Sequence, residues 1–116
     1  AWLGGLEPKA RAEKLKALAR HHGARWKTQE PGLTRALADF DRYGFALSIA
    51  EWTPEINAVA VPLTFPGAEG LMSLNCGGAA SLLPPERLKR EIGPRLLEAK
   101  RQIELISLPQ REARRA

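Results

Sequence analysis

Cysteine is almost missing: Cys76 stands alone among 116 residues. No internal disulfide can form, and a reducing compartment fits. No apolar run approaches the roughly 20 residues that a membrane-spanning helix needs. No segment has the layout of a signal peptide either, so a cytoplasmic protein is expected. Metal-ligand spacing is also lacking. His21 and His22 are the two histidines; neighbours on a helix point in different directions, and no Cys, Asp or Glu stands at ligand spacing. They read as residues closing a helix at the negative end of its dipole. No Gly-Lys-Ser/Thr or GxGxxG spacing is present, which excludes the usual phosphate cradles. No metal and no cofactor is expected.

A catalytic set is lacking as well. Ser48, Ser73 and Ser81 have no His–Asp partner in the pattern. Glu51 and Glu55 flank a Trp-Thr-Pro turn, where carboxylates are ordinarily solvated rather than engaged in acid–base work. An enzyme is not expected. Aromatic residues make up only 6% of the chain, and 18 Lys and Arg against 13 Asp and Glu give a net charge of +5. That balance invites a nucleic-acid reading, but the charges are spread over mixed-sign helices with no basic face interleaved with aromatics. They supply solubility and a weak, salt-sensitive attraction to polyanions.

What is present is concentrated between Tyr43 and Ala79. Three apolar segments there alternate. Phe45, Leu47 and Ile49 oppose Ala46, Ser48 and Ala50. Val59, Val61 and Leu63 oppose Ala58, Ala60 and Pro62, with Ile56 entering on the second side. Met72, Leu74 and Cys76 oppose Ser73, Asn75 and Gly77. Side chains alternate faces along a strand, so each segment has one bulky face and one small or polar face. A sheet without charge on either face needs cover on both. The bulky face reads as ordinary core, with Cys76 acting as a small hydrophobe. The small face admits two readings. A helix packs closely on Ala and Gly, or a concave space remains into which Ser48, Ser73 and Asn75 project polar groups, as in small-molecule sites. The links Trp52–Glu55 and Phe65–Gly70 carry turn signals, the second through Pro66-Gly67. They predict an antiparallel meander. Pro62 cannot donate to a ladder, which predicts a bulge or an edge position late in its strand.

Helices flank this region. Pro8–His22 is predicted as one, with Pro8 in its first turn, Leu15 and Leu18 on its apolar stripe, and Gly23 as its stop. Pro31–Arg42 is predicted as a second, with Thr28 a candidate cap, Leu33, Leu37 and Phe40 inward, and Asp39, Asp41, Arg35 and Arg42 solvated. Gly77-Gly78 suggests a turn, or less directly an anion-binding nest. Leu88, Ile92, Leu96, Ile103 and Ile106 mark a closing helix over 84–108 that Gly93-Pro94 should kink or split. Leu97 and Leu105 widen its stripe in a way that would suit a partner subunit. The length permits one domain, residues 1–108, followed by a polar tail, 109–116, expected to be disordered. Ala1–Leu6 opens without Met or cap and reads as a cut inside an element of something longer.

Gly44-Phe45-Ala46, the strand Asn57-Ala58-Val59-Ala60-Val61-Pro62, and Ser73-Leu74-Asn75 running into Gly78, with the opening Ala1–Leu15, together resemble the C-terminal half of the effector-binding domain of IclR-type transcriptional regulators. The resemblance covers Ala1 to about Ile106. It implies an α+β, GAF-like antiparallel sheet flanked by helices, present as a partial domain. It also implies a homodimer or tetramer that binds operator DNA through an N-terminal winged helix-turn-helix outside this chain, and a small organic acid, a carboxylate or an aromatic acid, as effector. Carried over position by position, the family's ligand contacts fall on Ser48, Ile56, Ala58, Asn75 and Gly77. Two departures stand out. Asn75-Cys76-Gly77-Gly78 replaces a frequent Ser-x-Ser-Gly, exchanging a hydroxyl for an amide, and Glu55 replaces a frequent Gly.

Overall fold

The computed structural model describes the backbone of residues 1–65 and 70–115, with side chains described for all of these except Phe65 and 107–115. The Pro66-Gly67 turn predicted between the second and third strands lies outside the described residues. Helices α1 (Trp2–Gly5), α2 (Pro8–His22) and α3 (Trp26–Tyr43) come first. Strands β1 (Ala46–Ile49), β2 (Ile56–Phe65) and β3 (Gly70–Ala79) follow, then a short α4 (Pro85–Arg87), a π-helical turn (Leu88–Ile92) and α5 (Gly93–Arg115). The sheet is antiparallel in the order β1-β2-β3. The α+β expectation and the meander hold. Ala116 lies outside the described residues, while the backbone of 109–115 is part of α5.

Register turns the alternation into two faces. Leu47 pairs with Val59 and Val59 with Cys76; Val61 pairs with Leu74 and Leu63 with Met72. Phe45, Leu47, Val59, Val61 and Leu88 form the buried core, packed by Leu74, Cys76, Leu83, Ile92, Leu96 and Leu97. The centre of the bulky face is therefore covered by the π turn and α5, while Ile49 and Met72 on the same face are exposed. Leu97 thus serves this chain's own core, while Leu105 and Ile106 are exposed. The opposite face is written in small residues: Ser48 pairs with Ala58 and Ala58 with Gly77, Ala46 with Ala60 and Ala60 with Asn75, and Pro62 with Ser73.

Three local departures from expectation have physical causes. The second helix begins at Trp26 and carries Pro31 inside it, and no side chain caps its first turn, so Thr28 is not a cap. Proline costs a helix mainly through a lost N–H bond and a clash in the preceding turn. Here that turn is exposed at Lys27 and water can satisfy the freed carbonyl. Gly77 and Gly78 lie inside β3 rather than in a turn. A Cβ at Gly77 would stand 3.3 Å from that of Ala58, and one at Gly78 would stand 3.2 Å from Leu83 Cδ1, so both glycines serve close packing and no anion nest forms. The third departure is the interruption before Gly93, which is neither a simple kink nor a break but one turn of π-helix, a local insertion that helices tolerate. A Cβ at Gly93 would stand 2.5 Å from Phe45 Cζ.

Pro62 occupies the position its chemistry allows. β1 pairs with β2 only as far as Ala60, so the β1 side of β2 is an edge from Val61 onward. Side chains of α5 take over there. Lys100 Nζ donates to the Pro62 carbonyl at 2.7 Å, and the Thr64 N–H donates to Glu104 Oε1 at 3.1 Å. Lys100 and Glu104 also pair with each other at 2.7 Å. Burial alone would raise the Glu104 carboxyl. The hydrogen bonds from Lys100 and Thr64, and the Lys100 charge, outweigh it and hold the group below its ordinary value.

Candidate functional site

The small face resolves into two parts. Toward Pro62 it is filled: α1 packs there so closely that a Cβ on Gly5 would fall 2.7 Å from Pro62 and 2.8 Å from Leu71, and one on Gly4 would fall 2.6 Å from the Phe40 ring. Arg11 secures α1 by donating to the carbonyls of Leu3 at 3.2 Å and Gly4 at 3.0 Å, and it pairs with Asp41 of α3 at 3.4 Å. The predicted solvated role of Asp41 is thus incomplete, since it helps to join three helices. The Trp2 indole N–H donates to the Leu71 carbonyl at 3.0 Å.

Toward the β1 end the face is open. A hollow of about 310 Å³ is lined by Ala46, Ser48, Ala58, Ala60 and Asn75 from the sheet, with Leu47 and Val59 beneath, Ala36 of α3 and Ala1 at the sides, and Glu51 at the rim. Each of the two readings of the small face therefore describes part of it. The volume sits at the lower end of the roughly 300–1,000 Å³ typical of small-molecule sites. The walls are methyl groups, with Ser48 and Asn75 as polar groups. The Ser73 hydroxyl donates to Asn75 Oδ1 at 2.7 Å. With that acceptor engaged, Asn75 is left to present its amide Nδ2 as donor.

Of the five positions carried over from the resemblance, Ser48, Ala58 and Asn75 line the hollow. Ile56 and Gly77 lie on the same face by register, paired with Ala79 and Ala58, but outside that lining. Glu51 and Ala36 are lining residues that strand alternation could not find, because one lies in the loop after β1 and the other on a helix. Ala36 sits one turn beyond Gly32 on α3, a small-residue spacing that could have signalled a face set close to something.

A second hollow, about 460 Å³, continues from the first along α3 and shares Ala36 and Glu51 with it; Thr28, Gln29, Pro31, Gly32, Leu33 and Arg35 complete its wall. A third, about 350 Å³, lies between α2 and α3 over Leu15, Trp26, Leu33 and Leu37. None of the residues of these two helices is fully buried, so the expected inward stripe is only half-covered.

A missed residue of structural weight is Asn57, 4% exposed on the bulky side. Its Oδ1 accepts from the Ala50 N–H at 2.9 Å and its Nδ2 donates to the Leu83 carbonyl at 2.9 Å. The first bond holds Ala50 at φ 54°, the one non-glycine residue with positive φ among those described. Asn57 thereby shapes the loop that carries Glu51.

Among the described residues no group of three His, Cys, Asp or Glu could hold a metal, and no helix is long and apolar enough to cross a membrane. Cys76 packs against the core from the bulky face. His22 stacks on Trp26 with ring centroids 6.5 Å apart.

No protein-family model and no curated protein matches the chain. Solved structures do. The crystal structure of an IclR family transcriptional regulator from Brucella abortus is similar over 91% of this chain, with 39% identity and a TM-score of 0.83. The inducer binding domain of a double mutant of the PobR transcription factor from Acinetobacter, in complex with 3-hydroxybenzoic acid, is similar over 88% of the chain, with 19% identity and a TM-score of 0.59. The chain spans 40% of the first protein and 59% of the second. Both are transcription regulators. Sequence and fold agree over nearly the whole chain, which belongs to the IclR family of transcriptional regulators and corresponds to part of its effector-binding domain.

Proposed function

We propose that the chain is the ligand-sensing part of a DNA-binding transcriptional regulator. It takes a small organic acid, a carboxylate or an aromatic acid, into the hollow over Ser48, Ala58 and Asn75, with Ile56 and Gly77 flanking it on the same face. The observation that carries this reading is the open half of the small face: a methyl-walled space with one hydroxyl and one amide donor, where close packing could have filled it. The PobR inducer binding domain holding 3-hydroxybenzoic acid in a related fold supports the ligand class.

The mechanism is a population shift. A ligand that binds one arrangement of a homodimer or tetramer more tightly biases the oligomer toward it. Winged helix-turn-helix domains linked to it then change their hold on operator DNA, by no more than the ligand's differential affinity. A cytoplasmic setting suits that role.

A thermal-shift screen of small acids on the intact protein tests the reading. At least one acid should stabilise it, and Ser48→Phe should abolish that stabilisation while leaving the ligand-free melting temperature nearly unchanged, since the ring enters existing space. Failure of every acid to stabilise the wild type, or marked destabilisation of Ser48→Phe by overpacking, refutes it. The second outcome would favour a structural or dimerisation module, a reading prompted by the tight seating of α1 on the other half of the same face.

A further inference from the structure

The inner hollow has one ionisable side chain in its wall, Glu51, and it carries the wrong sign for an acid. Beside Glu51 stands the guanidinium of Arg35. It lines the adjoining hollow, where Glu51 is the shared wall, and its Nη2 stands 4.0 Å from Glu51 Oε1. The pair is loose and wet: Arg35 is 71% and Glu51 38% exposed. Pairs of that kind hold each other weakly. Gly32, Arg35 and Ala36 share one face of α3, spaced as i, i+3 and i+4. A Cβ on Gly32 would meet Glu51 Oε1 at 3.2 Å, so the bare glycine leaves the carboxylate room to lie against the helix.

We infer that Arg35 is the receptor for the effector's carboxylate and that Glu51 is a built-in surrogate for it, occupying the guanidinium until ligand arrives. The inference rests on the pocket reading above and adds to it the residue that recognises the charge and the residue that competes. The acid's apolar body sits over Ala58 and Ala60, its carboxylate takes Arg35 from Glu51, and Glu51 turns to water. A planar guanidinium suits this exchange because it can hold an incoming carboxylate by two parallel hydrogen bonds, which the loose contact with Glu51 does not use. Glu51 then lowers acid affinity modestly. Neutral isosteres gain nothing from Arg35, and acids must compete with a tethered carboxylate for it.

The test uses the intact protein and a panel of acyclic and aromatic monocarboxylates, benzoate among them, each paired with its neutral primary amide. Binding is measured by calorimetry or thermal shift at two salt concentrations. Arg35→Ala should weaken the acids that bind wild type by roughly fivefold, a modest effect because the site is wet. Arg35→Lys should recover part of the loss. Glu51→Gln should tighten the same acids, and added salt should weaken them in wild type. The amides should not respond to any of these changes. Both positions are exposed, so the variants should fold. Unchanged acid binding in Arg35→Ala, or weakened binding in Glu51→Gln, overturns the assignment while leaving the pocket standing if Ser48→Phe still abolishes binding. If neither acids nor amides bind wild type, the pocket reading falls and this assignment falls with it.

Discussion

Replacing Gly93 with alanine should destabilise the protein, against the usual trend for glycine in a helix. The methyl group would stand 2.5 and 2.6 Å from Cζ and Cε1 of Phe45 and 2.8 Å from the Leu88 carbonyl oxygen. All three distances lie inside the 3.0 Å that real Cβ atoms respect. Neither neighbour can yield cheaply. Phe45 is 2% exposed and stacks on Tyr43 at 5.5 Å, and the Leu88 oxygen belongs to the backbone of the π turn. Overpacking of this kind costs about 1–3 kcal/mol. Alanine returns about 1 kcal/mol through helix propensity. The balance is a loss of up to about 2 kcal/mol, or up to roughly 8 °C in melting temperature for a domain of this size, and the rigidity of both neighbours places it toward the upper end. Gly32→Ala supplies the contrast within the same molecule. Its methyl would meet only the movable end of Glu51 at 3.2 Å, so propensity wins and stability should rise by up to about 1 kcal/mol. Urea unfolding of both variants decides the matter, and combining Gly93→Ala with Phe45→Leu should cost less than the sum of the two. Equal signs for the two alanines, or additivity in the double variant, would refute the account.

Three other outcomes are expected. Ala50→Gly should gain about 0.5–1 kcal/mol in denaturant unfolding, because φ 54° is a strained region for alanine and an open one for glycine. Asn57→Leu should cost about 2–4 kcal/mol, since it orphans the Ala50 N–H and the Leu83 carbonyl in a buried place; a loss below about 1 kcal/mol would show that water replaces the amide. The Glu104 carboxyl is held below its ordinary value of 4.5, so its contribution to stability is complete above that value and is lost as pH falls through the lower folded value. Unfolding free energy measured against pH should therefore decline on acidification, and Glu104→Gln should flatten part of that decline; an unchanged slope would show that the Lys100–Glu104 pair contributes nothing.

Alternation alone placed the two faces of the sheet. Phe45, Leu47, Val59, Val61 and Cys76 turned inward and Ser48, Ala58 and Asn75 the other way, because a period of two leaves no freedom once the register is set. Pro62 was legible too, since a residue without an N–H must sit where no partner strand needs one. What pattern could not convey was placement between elements. Whether Ala58 and Ala60 face a helix or a space depends on where α1 and α3 come to rest. That is governed by Gly4 and Gly5 against Phe40, Pro62 and Leu71, contacts separated by dozens of residues in sequence. The early start of α3 was hidden by Pro31, a local stop signal overridden in an exposed first turn. Glu51 was noticed as a turn carboxylate, but its nearness to Arg35 follows from the packing of a helix onto a strand edge, and no spacing rule encodes it.

The division of the sheet into a heavy and a light side has a bearing on how such a protein can change over time. Most of the buried hydrocarbon lies with Phe45, Leu47, Val59, Val61 and Leu88, whereas Ser48 and Asn75 stand half-covered or open on the reverse. Substitutions at these open positions spend little folding free energy. A lineage could therefore try one polar group after another there without approaching the threshold below which the domain unfolds. The same scaffold would then be free to answer to new chemistry while its hydrocarbon side stayed constant.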